Sequence, residues 1–307
     1  MAITTRQVYL HIGVPKSGTT ALQQTVFMPC EEVLYLGKPL TTVFRRVGEL
    51  ICGIIDPPED EWTAGLALFC LRMAPLFAAP SQCVVISEEE FSCGSQVGSV
   101  SRSEIAKRLH LLFPNARVLL VLRNQLTALQ SLYAYAMTIP GTSFVPFNAW
   151  LNEQREALPH SRGFEMFDYA DLMDVYAGRF GRERIEVFFH EDFSAHHSEF
   201  VARLARILGI DETFTRTIEN LRMNTRPSLR MVRAMHFRGS RPWVDQVIER
   251  LPPILRRKLV EAVASGPALD VSYGSEEEAF VRAYYANGNR RLAEVYGVDI
   301  RAADYPC

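Results

Sequence analysis

Residues 8–20, VYLHIGVPKSGTT, restrict the fold of this chain more than any other segment. A β-branched apolar run passes through a Gly/Pro/Ser loop straight into hydroxyl residues that open a helix-period stretch, the signature of a buried strand turning directly into a helix. Such a turn aims backbone N–H groups and the positive end of a helix dipole at one point, and an anion is what that point binds. Gly13 and Gly18 fall in register with the phosphate-loop pattern G-x-x-x-x-G-K-[ST], but Thr19 follows Gly18 and the lysine stands inside the loop as Lys16. A lysine at the end of the pattern reaches the β and γ phosphates. One inside the loop lies beside the first phosphate and its leaving group. A tight connection capped by a serine or threonine is the plainer account of Pro15-Lys16-Ser17-Gly18. Two glycines, a lysine and the hydroxyls of Thr19 and Thr20 within so short a span favour the anion site.

Four further apolar runs, 84–87, 118–122, 185–189 and the weaker 33–36, read as buried parallel strands, and helix-period segments at 19–28, 59–77, 103–113, 125–137, 170–180 and 199–208 alternate with them. This is an α/β pattern: a central parallel sheet with helices on both faces, of the P-loop-like kind. From about residue 229 the chain becomes wholly helical, broken at Pro252-Pro253 and at 265–267 and ending in 276–296. We expect this helical C-terminal extension to pack on the same sheet, giving one domain over 1–307.

With 307 residues, 48% hydrophobic and 22% charged, the composition excludes a disordered or fibrous chain. Lys+Arg number 33 against 35 Asp+Glu, so no global positive field draws the protein to nucleic acid or an anionic membrane, and any anion site is local. No apolar run approaches the ~18 residues that span a bilayer, and none precedes the first strand as a leader, so we expect a cytoplasmic protein without a membrane span. The six cysteines, at 30, 52, 70, 83, 93 and 307, form no C-x-x-C pair and read as reduced packing residues, and no His/carboxylate cluster has metal-ligand spacing.

The run 118–122 ends in Arg123, where an ATPase strand would carry an acidic residue to hold Mg²⁺. A guanidinium fork there and the hydroxyl of Ser131, eight residues on along the next helix, suit a second phosphate. Two anion sites on one sheet rim match a nucleotide phosphorylated at two separated positions. At the end of a third strand, CVVISEEEFS (83–92) supplies carboxylates on the same rim. Glu89 is the candidate general base and Glu88 the alternate; a solvated acidic turn is the plainer account. Among the histidines, His11 reads as a core residue, His190 as a minor candidate base and His196-His197 as an exposed helix start.

The residues VPKSGTT resemble the 5′-phosphosulfate loop of sulfotransferases that use 3′-phosphoadenosine 5′-phosphosulfate, PAPS. Arg123 with Ser131 resembles the 3′-phosphate motif of that family, and Ser87-Glu88-Glu89 is similar to the Ser-Ser-Glu of its bacterial members, with Glu88 in place of the second serine. No histidine stands in the Lys-Thr-His motif of the cytosolic animal enzymes. Residues 167–193 and 288–297 resemble bacterial carbohydrate-type members, so the likeness runs through essentially the whole chain. The resemblance implies transfer of a sulfuryl group from PAPS to a hydroxyl or amine of a carbohydrate or small-molecule acceptor, without a metal, releasing adenosine 3′,5′-bisphosphate (PAP). It implies that Pro15, Lys16, Ser17, Gly18, Thr19, Thr20, Arg123 and Ser131 bind the nucleotide, with Lys16 and Glu89 catalytic.

Residues 224–228 read as a polar segment closing over the nucleotide or as a helix N-cap, and Tyr133, Tyr135, Phe144, Phe147 and Trp150, around a loop at Pro140-Gly141, as acceptor-pocket lining or as core. Acceptor identity and oligomeric state are not legible. Two other readings stand beside the first: a P-loop nucleotide kinase or other phosphotransferase, and a non-catalytic nucleotide-binding protein.

Overall fold

The β-branched runs form five strands: β1 Val8–His11, β2 Val33–Gly37, β3 Cys83–Ser87, β4 Arg117–Leu122 and β5 Ile185–Phe189. The computed structural model describes residues 3–38, 45–78, 83–95, 100–139, 142–211, 227–239, 241, 243–300 and 304–307. All strand pairs are parallel, in the order β2-β3-β1-β4-β5. β1 and β3 are buried along their whole length, as covered parallel strands require. β2 is one of the two edge strands of this order, and its Leu34 and Tyr35 are half-buried, in keeping with its weaker apolar signal.

The helices fall between and around the strands. They are α1 Thr19–Leu22, running on as a π-helical turn over Gln23–Phe27, then α2 Arg45–Ile55, α3 Glu59–Met73, α4 Glu90–Cys93 and α5 Arg102–Leu112. Next come α6 Gln125–Ala136, α7 Phe147–Glu156, α8 Arg162–Glu165, α9 Tyr169–Phe180, α10 His190–Ala195 and α11 His197–Leu208. The last four are α12 Leu229–Gly239, α13 Trp243–Arg250, α14 Pro253–Ala264 and α15 Ser275–Tyr296. Sequence reading missed α2. It buries Val47, Leu50, Ile51, Ile54 and Ile55 on one stripe, but Gly48 and Gly53 depress its helical propensity.

The chain divides into two compact units. One holds the sheet and comprises Met1–Asn124, Glu165–Met223 and Tyr285–Cys307; the other is helical and comprises Gln125–Phe164 and Asn224–Tyr284. The C-terminal helical region is therefore shared, residues 224–284 clustering with 125–164 and residues 285–307 with the sheet. On one side of the sheet Tyr9, Val85, Leu119, Val121 and Phe188 pack with Leu22, Val26 and Phe27 and with Phe200, Val201 and Leu204. Because order reverses about β1, the carboxyl ends of β1, β3 and β4 lie side by side, the position where open α/β sheets bind ligands.

Candidate active site

The loop after β1 is pinned before it turns. Backbone pairing with β4 continues past the strand end, from Ile12 N to Leu119 O (3.1 Å), from Val121 N to Gly13 O (2.8 Å) and from Val14 N to Val121 O (3.0 Å). Ser17 then closes the loop on itself, its amide reaching Val14 O at 3.3 Å and its hydroxyl the same oxygen at 2.7 Å. Two glycines are required by geometry. Gly13 has φ 97°, and a Cβ there would lie 3.4 Å from the Cα of Glu89; Gly18 has φ 85°, and a Cβ would lie 3.0 Å from His190 Nδ1. Lys16 holds φ 69°, a left-handed conformation that costs a non-glycine residue on the order of 1 kcal/mol and is typical of functional turns.

Exposure alternates along this loop. Lys16, Gly18 and Thr20 are partly open, whereas Ser17 and Thr19 are buried. The Ser17 hydroxyl is thus committed to the loop's own fold, and the Thr19 hydroxyl donates to Glu89 Oε1. Burial lowers the pKa of Lys16; the charge of Glu89 opposes the shift and that of Arg123 adds to it.

The two candidate carboxylates of the β3 end have different surroundings. Glu88 is buried and pairs with Lys38 at the end of β2, Oε1 to Nζ at 2.8 Å, while also accepting from the Glu90 amide at 3.3 Å. Burial depresses the pKa of Lys38, but the carboxylates of Glu88, Glu89 and Glu90 outweigh it and the net shift is upward. Glu89 is joined to the loop through Thr19. Lys38 had no signal in the sequence, since nothing local relates it to a residue fifty positions away.

Behind these residues runs a buried polar chain. Gln23 Nε2 donates to Ser87 Oγ at 2.9 Å, and Ser87 Oγ lies 2.7 Å from His11 Nδ1. His11 Nε2 is buried, with no hydrogen-bond partner among the described residues, and desolvation takes the His11 pKa down to about 4. His11 is a core histidine, as its place in β1 implies, but satisfied on one nitrogen only.

Arg123 follows β4 and donates from Nη1 to Lys16 O at 2.7 Å, so the arginine of the second anion motif also grips the first loop. Its own carbonyl is held by the Tyr169 hydroxyl at 2.6 Å, and the next residue, Asn124, donates from its amide to Glu191 Oε1 at 2.9 Å and from its Nδ2 to Asp304 O at 2.7 Å. Burial raises the pKa of Glu191. His190, which opens α10 after β5, donates from Nδ1 to Ser17 O at 3.1 Å. Burial and then the Arg123 charge bring its pKa down to about 4, so at neutral pH it is an uncharged donor under the loop and a poor proton acceptor. Ser131 lies on α6, in the helical unit, partly exposed.

The sheet rim therefore gathers Lys16, Glu89, Arg123 and the loop amides, a cationic cradle with a carboxylate beside it. Residues 7–246 match the family model described as the sulfotransferase domain. The chain belongs to the sulfotransferase family. Its chemistry is sulfuryl transfer, which removes the kinase and the non-catalytic readings. No curated protein sequence matches the chain. Among solved structures, a sulfotransferase from Alicyclobacillus acidocaldarius aligns at TM-score 0.59 and 16% identity, covering 98% of this chain and 99% of that one. The likeness shows a shared fold. A mouse sulfotransferase complexed with PAP aligns at TM-score 0.42 and 12% identity over 92% of this chain and 90% of that one. The sulfotransferase domain of a Synechococcus olefin synthase aligns at TM-score 0.39 and 11% identity over 98% and 97%.

In this sulfotransferase the aromatic run after Ser131 divides in two. Tyr133, Phe147 and Trp150 are buried against one another, with Tyr133–Phe147 centroids 5.2 Å apart and the Tyr133 hydroxyl on Val145 O at 2.7 Å. They pack as core of the helical unit. Tyr135 and Phe144 are exposed. Residues 224–226 and Pro140-Gly141 lie outside the described residues, while Ser228 accepts from the Met231 amide at 3.0 Å and so caps α12. Cys30, Cys70 and Cys83 are buried as packing residues, but Cys52 and Cys307 are exposed. Among the described residues no group of three or more His, Cys, Asp or Glu could hold a metal ion, and no helix is long and apolar enough to cross a membrane.

Proposed function

We propose that this sulfotransferase takes its sulfuryl group from PAPS, passes it to a hydroxyl or amine of a carbohydrate or small-molecule acceptor, and releases PAP. The observation that carries this reading is the bonding of the first loop to both neighbouring strand ends: Arg123 holds Lys16 O, and Thr19 joins Glu89. One rim thus combines cations for a phosphosulfate with a carboxylate for an incoming nucleophile. The donor set fits the nucleotide, since Lys16 and Arg123 supply two positive charges from separate strand ends and Glu89 supplies a base.

When bound, PAPS supplies an activated sulfuryl group whose bond to the 5′-phosphate oxygen breaks as the acceptor oxygen or nitrogen attacks sulfur. Glu89 takes the acceptor proton. Lys16 offsets the negative charge that grows on the departing phosphate oxygen, and its half-buried position strengthens that effect. Pro15, Gly18 and Thr20 shape the cradle, with Ser17 bracing it and Thr19 orienting Glu89. Arg123 and Ser131 are assigned the 3′-phosphate. The reading needs no metal ion, and it treats 1–307 as one sulfotransferase domain of the bacterial, carbohydrate-type kind acting in the cytoplasm.

The test is a thermal-shift comparison of PAP, AMP and Mg-ATP, followed by transfer assays with PAPS. A ligand at about 100 times its Kd adds roughly 2.7 kcal/mol, enough to move Tm by a few degrees. Because Arg123 also holds the loop, Ser131→Ala is the cleaner control for the 3′-phosphate. PAP stabilises the protein more than AMP does, and the substitution narrows the difference; a shift with Mg-ATP alone overturns the assignment. Lys16→Ala lowers turnover by on the order of 10² or more, and near-full activity in that variant removes Lys16 from the mechanism.

A further inference from the structure

Residues 229–264 depart from the rest of the chain in both charge and exposure. They carry eight Lys+Arg against three Asp+Glu, in a protein whose net charge is −2. Helix α14 has no buried residue at all, although it contains Ile254, Leu255, Leu259 and Val260, which are 67%, 50%, 41% and 53% exposed. Trp243 and Val247 on α13 are exposed as well, at 57% and 47%. A helix in a soluble unit normally hides such side chains; an apolar set of this size left open marks an interaction surface. Helix α14 also lies beyond residue 246, where the match to the sulfotransferase domain ends, so it is not part of what that family model describes.

The charge decides what covers it. Arg256, Arg257 and Lys258 are consecutive and exposed, with Arg250 one short turn earlier; Arg257 is paired with Glu261 at 3.4 Å. A second copy of this face would set the same excess positive charge against itself. Nucleic acid would use the cations but leave Ile254, Leu255 and Leu259 in water. An anionic lipid surface uses both: long basic side chains reach the headgroups while tryptophan, leucine and isoleucine enter the acyl boundary. We infer that the α13–α14 segment docks this sulfotransferase peripherally and reversibly on anionic lipid bilayers, using none of the residues assigned to the reaction.

The experiment is co-sedimentation of the full chain with phosphatidylcholine vesicles containing or lacking about a third phosphatidylserine, at low and high salt. Three proteins are compared: the native chain, Arg256→Glu/Arg257→Glu and Leu255→Ser/Leu259→Ser. All replaced side chains are exposed, so each variant keeps its fold, checked by an unchanged Tm. The native chain sediments with the phosphatidylserine vesicles only. The charge variant loses at least about 25-fold in affinity, at roughly fivefold per cation removed and with two anions added, and the leucine variant about tenfold. No sedimentation with any vesicle overturns the inference, and so does binding that both variants retain in full. Sensitivity to salt with no effect of the leucines assigns the surface to a polyanion such as nucleic acid instead. A native dimer in size-exclusion chromatography that the leucine variant converts to monomer assigns it to a second copy.

Discussion

The sheet rim and the α13–α14 segment are built on opposite terms. At the rim polar side chains are committed: Ser17 to Val14, Thr19 to Glu89, Glu88 to Lys38, Arg123 to Lys16 and His190 to Ser17. Along α14 nothing is buried, and large apolar side chains face solvent. The difference separates two uses of a surface. Chemistry needs groups held in place before substrate arrives, because ordering them during reaction would add to the barrier. Peripheral docking needs only apolar area and charge of one sign, which adapt to a fluid partner.

Substitutions can break or sharpen this contrast. The largest effect belongs to the rim: Glu89→Gln lowers sulfuryl transfer by about 10² to 10⁴ while leaving nucleotide-induced stabilisation in place, measured by turnover and thermal shift on the same sample. If turnover survives and Glu88→Gln abolishes it, the base assignment passes to Glu88.

Next comes packing beneath the rim. Leu120 in β4 is 1% exposed, and Leu120→Ala costs about 2–5 kcal/mol in denaturant unfolding.

Acid probes the buried histidines. His11 and His190 have folded pKa values of about 4, below the ordinary 6.5 of an unfolded chain. Between those values the unfolded chain binds protons that the folded one does not, so stability falls as pH drops from about 6.5 to about 4. His11 alone accounts for on the order of 3 kcal/mol across that window. His11→Asn flattens the slope in unfolding curves taken at pH 7, 6 and 5; an unchanged slope means that the histidine is not held neutral.

Smaller again is the Glu88–Lys38 pair. Lys38 is 44% exposed at its side chain, so Glu88→Gln costs only about 1 kcal/mol of stability and spares the chemistry.

The smallest effect lies at the other pole of the comparison. Leu255→Ala changes unfolding free energy by less than about 0.5 kcal/mol, against several for the same substitution at Leu120. A large loss at Leu255 means that α14 is packed and the contrast is false.

Much of this was legible along the chain. The strands announce themselves because a covered parallel strand must be apolar on both faces, and 8–12, 84–87, 118–122 and 185–189 coincide with strands to within a residue or so. The loop was legible because Gly13, Lys16 and Gly18 are close in sequence and perform one local turn. The aromatic run was not. Tyr133, Phe147 and Trp150 have the same composition as a pocket wall, and only their contacts with one another make them core.

The sequence by itself determined the strand–loop–helix unit, the parallel α/β class and the cation at the end of β4, because each depends on side-chain pattern within a few residues. Tertiary structure gave Glu88 and Glu89 their different partners, Lys38 and Thr19, one from each of two other strand ends, and the proposal of Glu89 as base leans on that difference. It also placed His190 Nδ1 on Ser17 O and gave Arg123 its grip on Lys16 O. Those assignments depend on burial and on hydrogen-bond partners fifty or more residues away, and neither leaves a local trace that a sequence pattern can carry.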